Sequence, residues 1–165
     1  MHFAATISYP ADVETVAAML ADEGFVRRKM AAAGAEESEV EIHHEGGSFT
    51  VTTRAKMPTT AVPAAFRSLV GDFLDVRLVE AWEAPDPDGS RSSTLALDIQ
   101  GVPVRIAGSQ RLEPTATGCT ETYEGEVTAK IPLFGRPVEQ AAVDTVDKVV
   151  AVERRLGLEH LARSE

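Results

Sequence analysis

The side chains able to do chemistry in this sequence are scattered rather than gathered. The four histidines come first, since a general base or a zinc site recruits them. His43 and His44 are adjacent in an alternating segment, so a regular strand sends them to opposite faces and they cannot close on one metal. One exposed and one packed histidine is the expectation. His2 and His160 lie towards the ends, where exposure is the default. Cys119 is the only cysteine, which rules out an intrachain disulfide and points to a reducing, cytoplasmic compartment. Around it there is no cysteine-protease signature, and no Gly-x-Ser-x-Gly elbow occurs elsewhere. Gly46 and Gly47 lack the Lys-Ser/Thr of a P-loop, and Gly101 to Gly108 lacks dinucleotide spacing. No catalytic residue, metal or cofactor is therefore assigned.

Carboxylates are plentiful. Glu124 and Glu126 share one side of a strand and are expected to face water, while Glu121 shares the other side with Tyr123 and Val127. Glu80 has the parity of Val76, Leu78 and Trp82, so Glu80 and Glu121 are the carboxyls that can project inward. Burial would raise their pKa values, and Arg105 or Arg111 would reverse that if the strand faces allowed contact. Arg27, Arg28 and Lys29 form the one compact basic run, read as a solvated helix face.

The 165 residues carry 16 Lys and Arg against 26 Asp and Glu, a formal charge of −10, which disfavours nucleic acid or an anionic lipid surface as partner. The longest apolar run, Val16 to Ala21, falls far short of the roughly 20 residues of a membrane-spanning helix, so no integral membrane insertion is expected. Met1 to Pro10 has no basic leader and reads as mature protein. The length fits a single domain over 1–165.

Several elements must hold these groups. Phe3, Ala5 and Ile7 alternate as a strand. Pro10 suits a first helical turn, and Val13, Val16, Ala17 and Leu20 then give a helix with one apolar stripe. A second helix, Phe25 to Ala33, stops at Gly34. Strands around Val40 to His44 and Phe49 to Ala55 join at Gly46-Gly47, and Ala64 to Val70 reads as a short helix or wide loop. Strands over Phe73 to Ala84, Ser92 to Ile99, Val104 to Leu112 and Cys119 to Ala129 follow. Beyond Pro137, Val138, Ala142, Thr145, Val149, Val152 and Leu156 mark a long amphipathic helix to Leu161. About 25 residues at roughly 1.5 Å each would cross a whole domain. The fold class is α+β.

This order, opening on Ile7-Ser8-Tyr9-Pro10-Ala11-Asp12-Val13-Glu14 and closing on Ile131-Pro132-Leu133-Phe134-Gly135-Arg136-Pro137-Val138-Glu139, resembles the START-like, birch-pollen-allergen-like (SRPBCC) superfamily. More narrowly, it resembles a bacterial branch classed as a domain of unknown function. The resemblance implies the helix-grip fold: a curved antiparallel sheet of six or seven strands wrapped around the last helix, with two short helices after the first strand. It also implies a cavity between sheet and helix that holds a small apolar or amphipathic ligand of lipid, sterol or polyketide type. In that geometry Val51, Leu78, Leu97, Ile106, Tyr123, Val127, Thr145 and Val149 are the walls, Phe66 or Phe25 the mouth, and Gln110, Tyr123 or Thr145 the polar anchors. Trp82, with Phe66, Tyr123 and Phe134, reads either as core or as ligand contact. Two alternatives stay open: a cyclase- or hydrolase-type enzyme using Glu80, Glu121 or Tyr123, and an interaction protein with a plugged core, as monomer or homodimer.

Overall fold

A computed structural model describes residues 1–163. Its elements in chain order are β1 (His2–Tyr9), α1 (Val13–Leu20), α2 (Glu23–Ala32), β2 (Glu37–Glu45), β3 (Ser48–Pro58), α3 (Ala64–Val70), β4 (Phe73–Trp82), β5 (Arg91–Ile99), β6 (Val102–Thr115), β7 (Gly118–Ala129) and α4 (Gly135–Arg163). Local chemistry sets the boundaries. Asp12 and Asp22 cap α1 and α2 by accepting from the backbone N–H groups of Thr15 at 2.8 Å and Phe25 at 2.7 Å. Pro10 lies before this cap rather than in the helical turn expected from its position, because the Asp12 carboxylate satisfies the free amides better. The β2–β3 hairpin turns on Gly46-Gly47, with Gly46 at φ 60°.

All seven strands pair antiparallel in the order β1-β7-β6-β5-β4-β3-β2. Only β1 sits apart from its sequence neighbour: α1 and α2 carry the chain from one edge of the sheet to the other, and five antiparallel connections, the second of them carrying α3, bring it back. The period of two then sorts the side chains. Ile7, Val51, Trp82, Leu112, Glu121 and Val127 face inward and are buried, whereas Glu124 and Glu126 face water as their parity requires. Gly108 of β6 faces Gly125 of β7 in the register, and the two backbones approach closely. A Cβ on Gly108 would come within 2.8 Å of the Gly125 Cα, and one on Gly125 within 2.7 Å of the Phe3 Cζ. The curved sheet closes over α4, whose 29 residues span about 43 Å. Among the described residues no helix is long and apolar enough to cross a membrane.

The far half of α4 seats on β1 through a glycine. Gly157 is buried, and a Cβ there would lie 2.7 Å from Cε1 and 3.1 Å from the hydroxyl of Tyr9, itself buried. Alanine is the better helix former by about 1 kcal/mol. Here, however, overpacking should outweigh propensity, so Gly157→Ala is expected to destabilise the protein by about 1–3 kcal/mol in urea unfolding. A gain in stability would show that Tyr9 has room to move.

Candidate functional site

Between the concave face of the sheet and α4 lies a cavity of about 280 Å³. Its sheet wall is a lateral row, Thr53, Leu78, Leu97 and Ile106, that the strand register sets side by side. Val138, Ala142, Thr145, Val146 and Val149 supply the helix wall, and Phe66 and Val70 of α3 close one end. Leu78, Leu97, Val146 and Val149 point into the interior yet are only half-buried, because nothing fills the space between them. In a close-packed core such a gap forfeits dispersion contacts. Phe66 packs edge to face on Phe134 at 4.7 Å, and the exposed Leu69, Leu133 and Phe134 occupy the same two segments.

The opposite end of the cavity is polar. Lys29 of α2 and Glu153 of α4, 4% and 2% exposed, form an ion pair at 2.7 Å. The second Glu153 oxygen accepts from the Tyr123 hydroxyl at 2.5 Å. Beside them, Gln110 donates to Glu80 at 2.9 Å and to Glu121 at 3.4 Å, and its own carbonyl accepts from Ser93 Oγ at 2.7 Å. Lys29, Thr53, Glu80, Tyr123 and Glu153 reach the cavity surface. One oxygen of Glu121, the Thr53 hydroxyl and the Tyr9 hydroxyl are buried with no hydrogen-bond partner.

Three buried carboxyls thus share one ammonium, and their titration diverges accordingly. Burial pushes Glu121 well above the usual carboxylate range, reinforced by the neighbouring charge of Glu153 and by a hydrogen bond between the two. Burial also raises Glu80, with Lys29 offsetting only part of the effect. For Glu153 burial acts upward, but the Lys29 charge and hydrogen bonds from Glu121, Lys29 and Tyr123 bring it net below its ordinary value. Burial would lower Lys29, yet Glu153 and Glu80 hold it charged. The cluster is therefore one ion pair set among two carboxyls that burial shifts towards their acid forms, an amide and a phenol whose own ionisation burial suppresses. The acid form of Glu121 is what satisfies its otherwise orphaned oxygen, by donating to Glu153.

Of the residues expected at the pocket, Phe66, Leu78, Leu97, Ile106, Tyr123, Thr145 and Val149 lie on the cavity surface. Val51, Trp82, Gln110 and Val127 do not. They share the inward face but sit off the cavity surface: Trp82 stacks on Phe49 at 6.1 Å, Val51 pairs with Glu80, Gln110 lies between Ser93 and Tyr123, and Val127 is wholly buried beside its partner Ile106. Parity specifies the face of a strand, not the depth along it. Phe25 is also displaced from the mouth, fully buried and edge to face with His160 at 5.6 Å, which makes His160 half-buried rather than exposed. Thr145 donates its hydroxyl to the Ala141 carbonyl at 2.8 Å. His43 and His44 are both exposed, His44 resting against Phe49 at 5.8 Å.

The cationic partner of the buried carboxyls is likewise not the expected one. Arg105 and Arg111 lie on the outer face with Asp98 and Glu113, and Lys29, read as part of a solvated run, is the buried counter-ion. Its anion, Glu153, stands on α4, where strand parity carries no signal. Cys119 is buried, its thiol raised to about 11 by burial and by Glu121 and Asp12, as befits a packed and unreactive group.

Comparison with known proteins agrees with this architecture. Residues 4–161 match the model of a family described as protein of unknown function (DUF2505), and the chain belongs to that family. Curated proteins give no match. Among solved structures, the Zhui aromatase/cyclase from Streptomyces sp. R1128 superposes with a TM-score of 0.61 at 14% identity, covering 99% of this chain and 94% of that one. A STAR-related lipid transfer protein from Xanthomonas axonopodis gives 0.57 at 19% identity over 93% and 85% of the two chains. The human StarD13 lipid transfer and protein localization domain gives 0.54 at 13% identity over 94% and 75%. At these identities the likeness is one of fold, and the fold is the START-type helix-grip.

Removing one member of the buried pair should leave the other charge stranded. Lys29→Met is expected to destabilise the protein by about 3–5 kcal/mol, with much of the loss recovered when Glu153→Gln is added, as a double-mutant cycle in urea would read. The pH dependence has a definite sign. Because the folded state raises Glu121, its contribution to stability is complete below the ordinary carboxyl value of 4.5 and is lost as pH rises through the displaced value. Glu121→Gln retains a donor for Glu153 and cannot ionise. Its stability relative to wild type should grow steadily with pH, and a constant difference would contradict the protonated state.

Proposed function

We propose that this protein binds a small apolar or amphipathic molecule, lipid-, sterol- or polyketide-like in character, in the space between the sheet and α4. The observation that carries the reading is an almost wholly aliphatic and aromatic cavity of about 280 Å³ with a few polar groups confined to one end. That is the arrangement of a small-molecule site, in which apolar walls supply affinity and sparse polar groups set orientation. The volume lies just under the roughly 300–1,000 Å³ of ordinary ligand pockets, which favours a compact ligand or a single chain. The fold shared with a lipid transfer protein and an aromatase/cyclase supports the reading by analogy.

A second reading is favoured by one specific contact. Tyr123 and Glu80 reach the same cavity surface, and the Tyr123 hydroxyl is 2.5 Å from Glu153. A phenol in a hydrogen-bonded relay with a carboxylate can pass a proton to or from a bound molecule, which suits enolisation or dehydration during cyclisation. It would act on a ligand already held by the same walls. The open interior speaks against a plugged core whose function lies only on its surface.

Native mass spectrometry of freshly purified protein, with solvent extraction, is the direct test of binding. The neutral fluorophore N-phenyl-1-naphthylamine is a second probe. It should bind the wild type, and Ala142→Phe, which projects a ring from α4 into the void, should weaken it at least tenfold while leaving thermal stability unchanged or raised. Unaltered probe binding by a folded Ala142→Phe protein would place the ligand elsewhere.

A further inference from the structure

We infer that the ligand of this cavity carries an uncharged hydroxyl or carbonyl at its polar end, and that carboxylates of the same shape are refused. The inference rests on the binding reading above and concerns what the polar end of the cavity can accept. Lys29 is the only cation among the described residues lining the cavity. Its ammonium is held at 2.7 Å by Glu153, with Glu80 and Glu121 close enough to attract it further. An entering carboxylate would be a fourth carboxyl around one ammonium, in a place where its own dehydration is costly. It would meet no free positive charge.

An uncharged head meets unspent hydrogen-bonding capacity. Thr53 lines the cavity, is buried, and has a hydroxyl with no partner. Glu80 lies diagonally across the β3–β4 pair from it, two residues along, and among the described residues its side chain's only hydrogen bond is the one Gln110 gives to Oε2. The Thr53 hydroxyl can donate to a ligand carbonyl or hydroxyl or accept from a hydroxyl, and the Glu80 carboxyl beside it can accept from a ligand hydroxyl, with burial shifting Glu80 towards its acid form. An orphaned buried hydroxyl is a liability in the empty protein. A ligand that satisfies it gains that hydrogen bond without displacing an existing one.

The experiment is displacement of N-phenyl-1-naphthylamine at pH 7.5 by decan-1-ol and by decanoate, which differ in the head and little in the tail. Decanol should displace the probe at a concentration at least tenfold lower than decanoate. Thr53→Val keeps the shape and removes the hydroxyl. It should weaken decanol roughly two- to tenfold, the worth of one neutral hydrogen bond, leave the probe within about twofold, and leave stability unchanged or higher. The inference is overturned if decanoate competes as well as decanol, if Thr53→Val leaves decanol binding unchanged, or if it shifts decanol and probe alike. Failure of the wild type to take up the probe at all would instead remove the cavity-binding reading, and this inference with it.

Discussion

The buried ion pair between Lys29 and Glu153 is the constraint around which the interior is arranged. It joins α2 to α4 across 124 residues of sequence, with both side chains almost wholly withdrawn from bulk solvent. Two such charges are tolerable only if their remaining donors and acceptors are met. Tyr123 meets one oxygen of Glu153, Glu121 serves as a neutral acid beside it, and Gln110 ties Glu121 to Glu80. This network occupies one end of the concave face and leaves the other end to apolar side chains. The division of the interior into a polar end and an oily barrel follows from where that single pair is set.

Much of the architecture was legible in the sequence because its signals are periodic. Alternation located the seven strands, a three-to-four spacing of Val138, Ala142, Thr145, Val149 and Leu156 located α4, and Gly46-Gly47 located a hairpin. The polar cluster was only half legible. Glu80 and Glu121 were recognisable as inward by strand parity, but their counter-ion was sought on the neighbouring strands. The missing signal was present in the helices. Lys29 stands four residues after Phe25 and three after Val26, on the buried stripe of α2, and Glu153 stands four after Val149 and four before Gly157, on the stripe of α4. One charge of each sign interrupting two apolar stripes is a signature of a buried pair, and a basic run hides it.

Depth was the other quantity the period could not supply. Val51 and Thr53, or Gln110 and Ile106, are equivalent by parity, yet Thr53 and Ile106 line the cavity while Val51 and Gln110 do not. Thr53 and Ile106 share one lateral row of the register with Leu78 and Leu97, whereas Val51 falls in the next row, level with Gly108 and Gly125, and Gln110 in the row after that. Those rows are set by the registers of β3 to β7 taken together, which no local window contains. The same holds for the empty volume, which arises from curvature and from the distance at which α4 is held rather than from any one residue.

The placement of β1 has a temporal corollary. It is made before every other strand, but its sole neighbour in the sheet is β7, and Ile7 waits for Glu121 as its cross-strand partner. A growing polypeptide therefore leaves the ribosome with an unpaired apolar ribbon that persists until more than a hundred further residues have been added. Closure over such a separation is entropically slow. The nascent chain is thus exposed to intermolecular strand exchange for most of its synthesis, and chaperone dependence should be governed by this delay more than by the stability of the finished molecule.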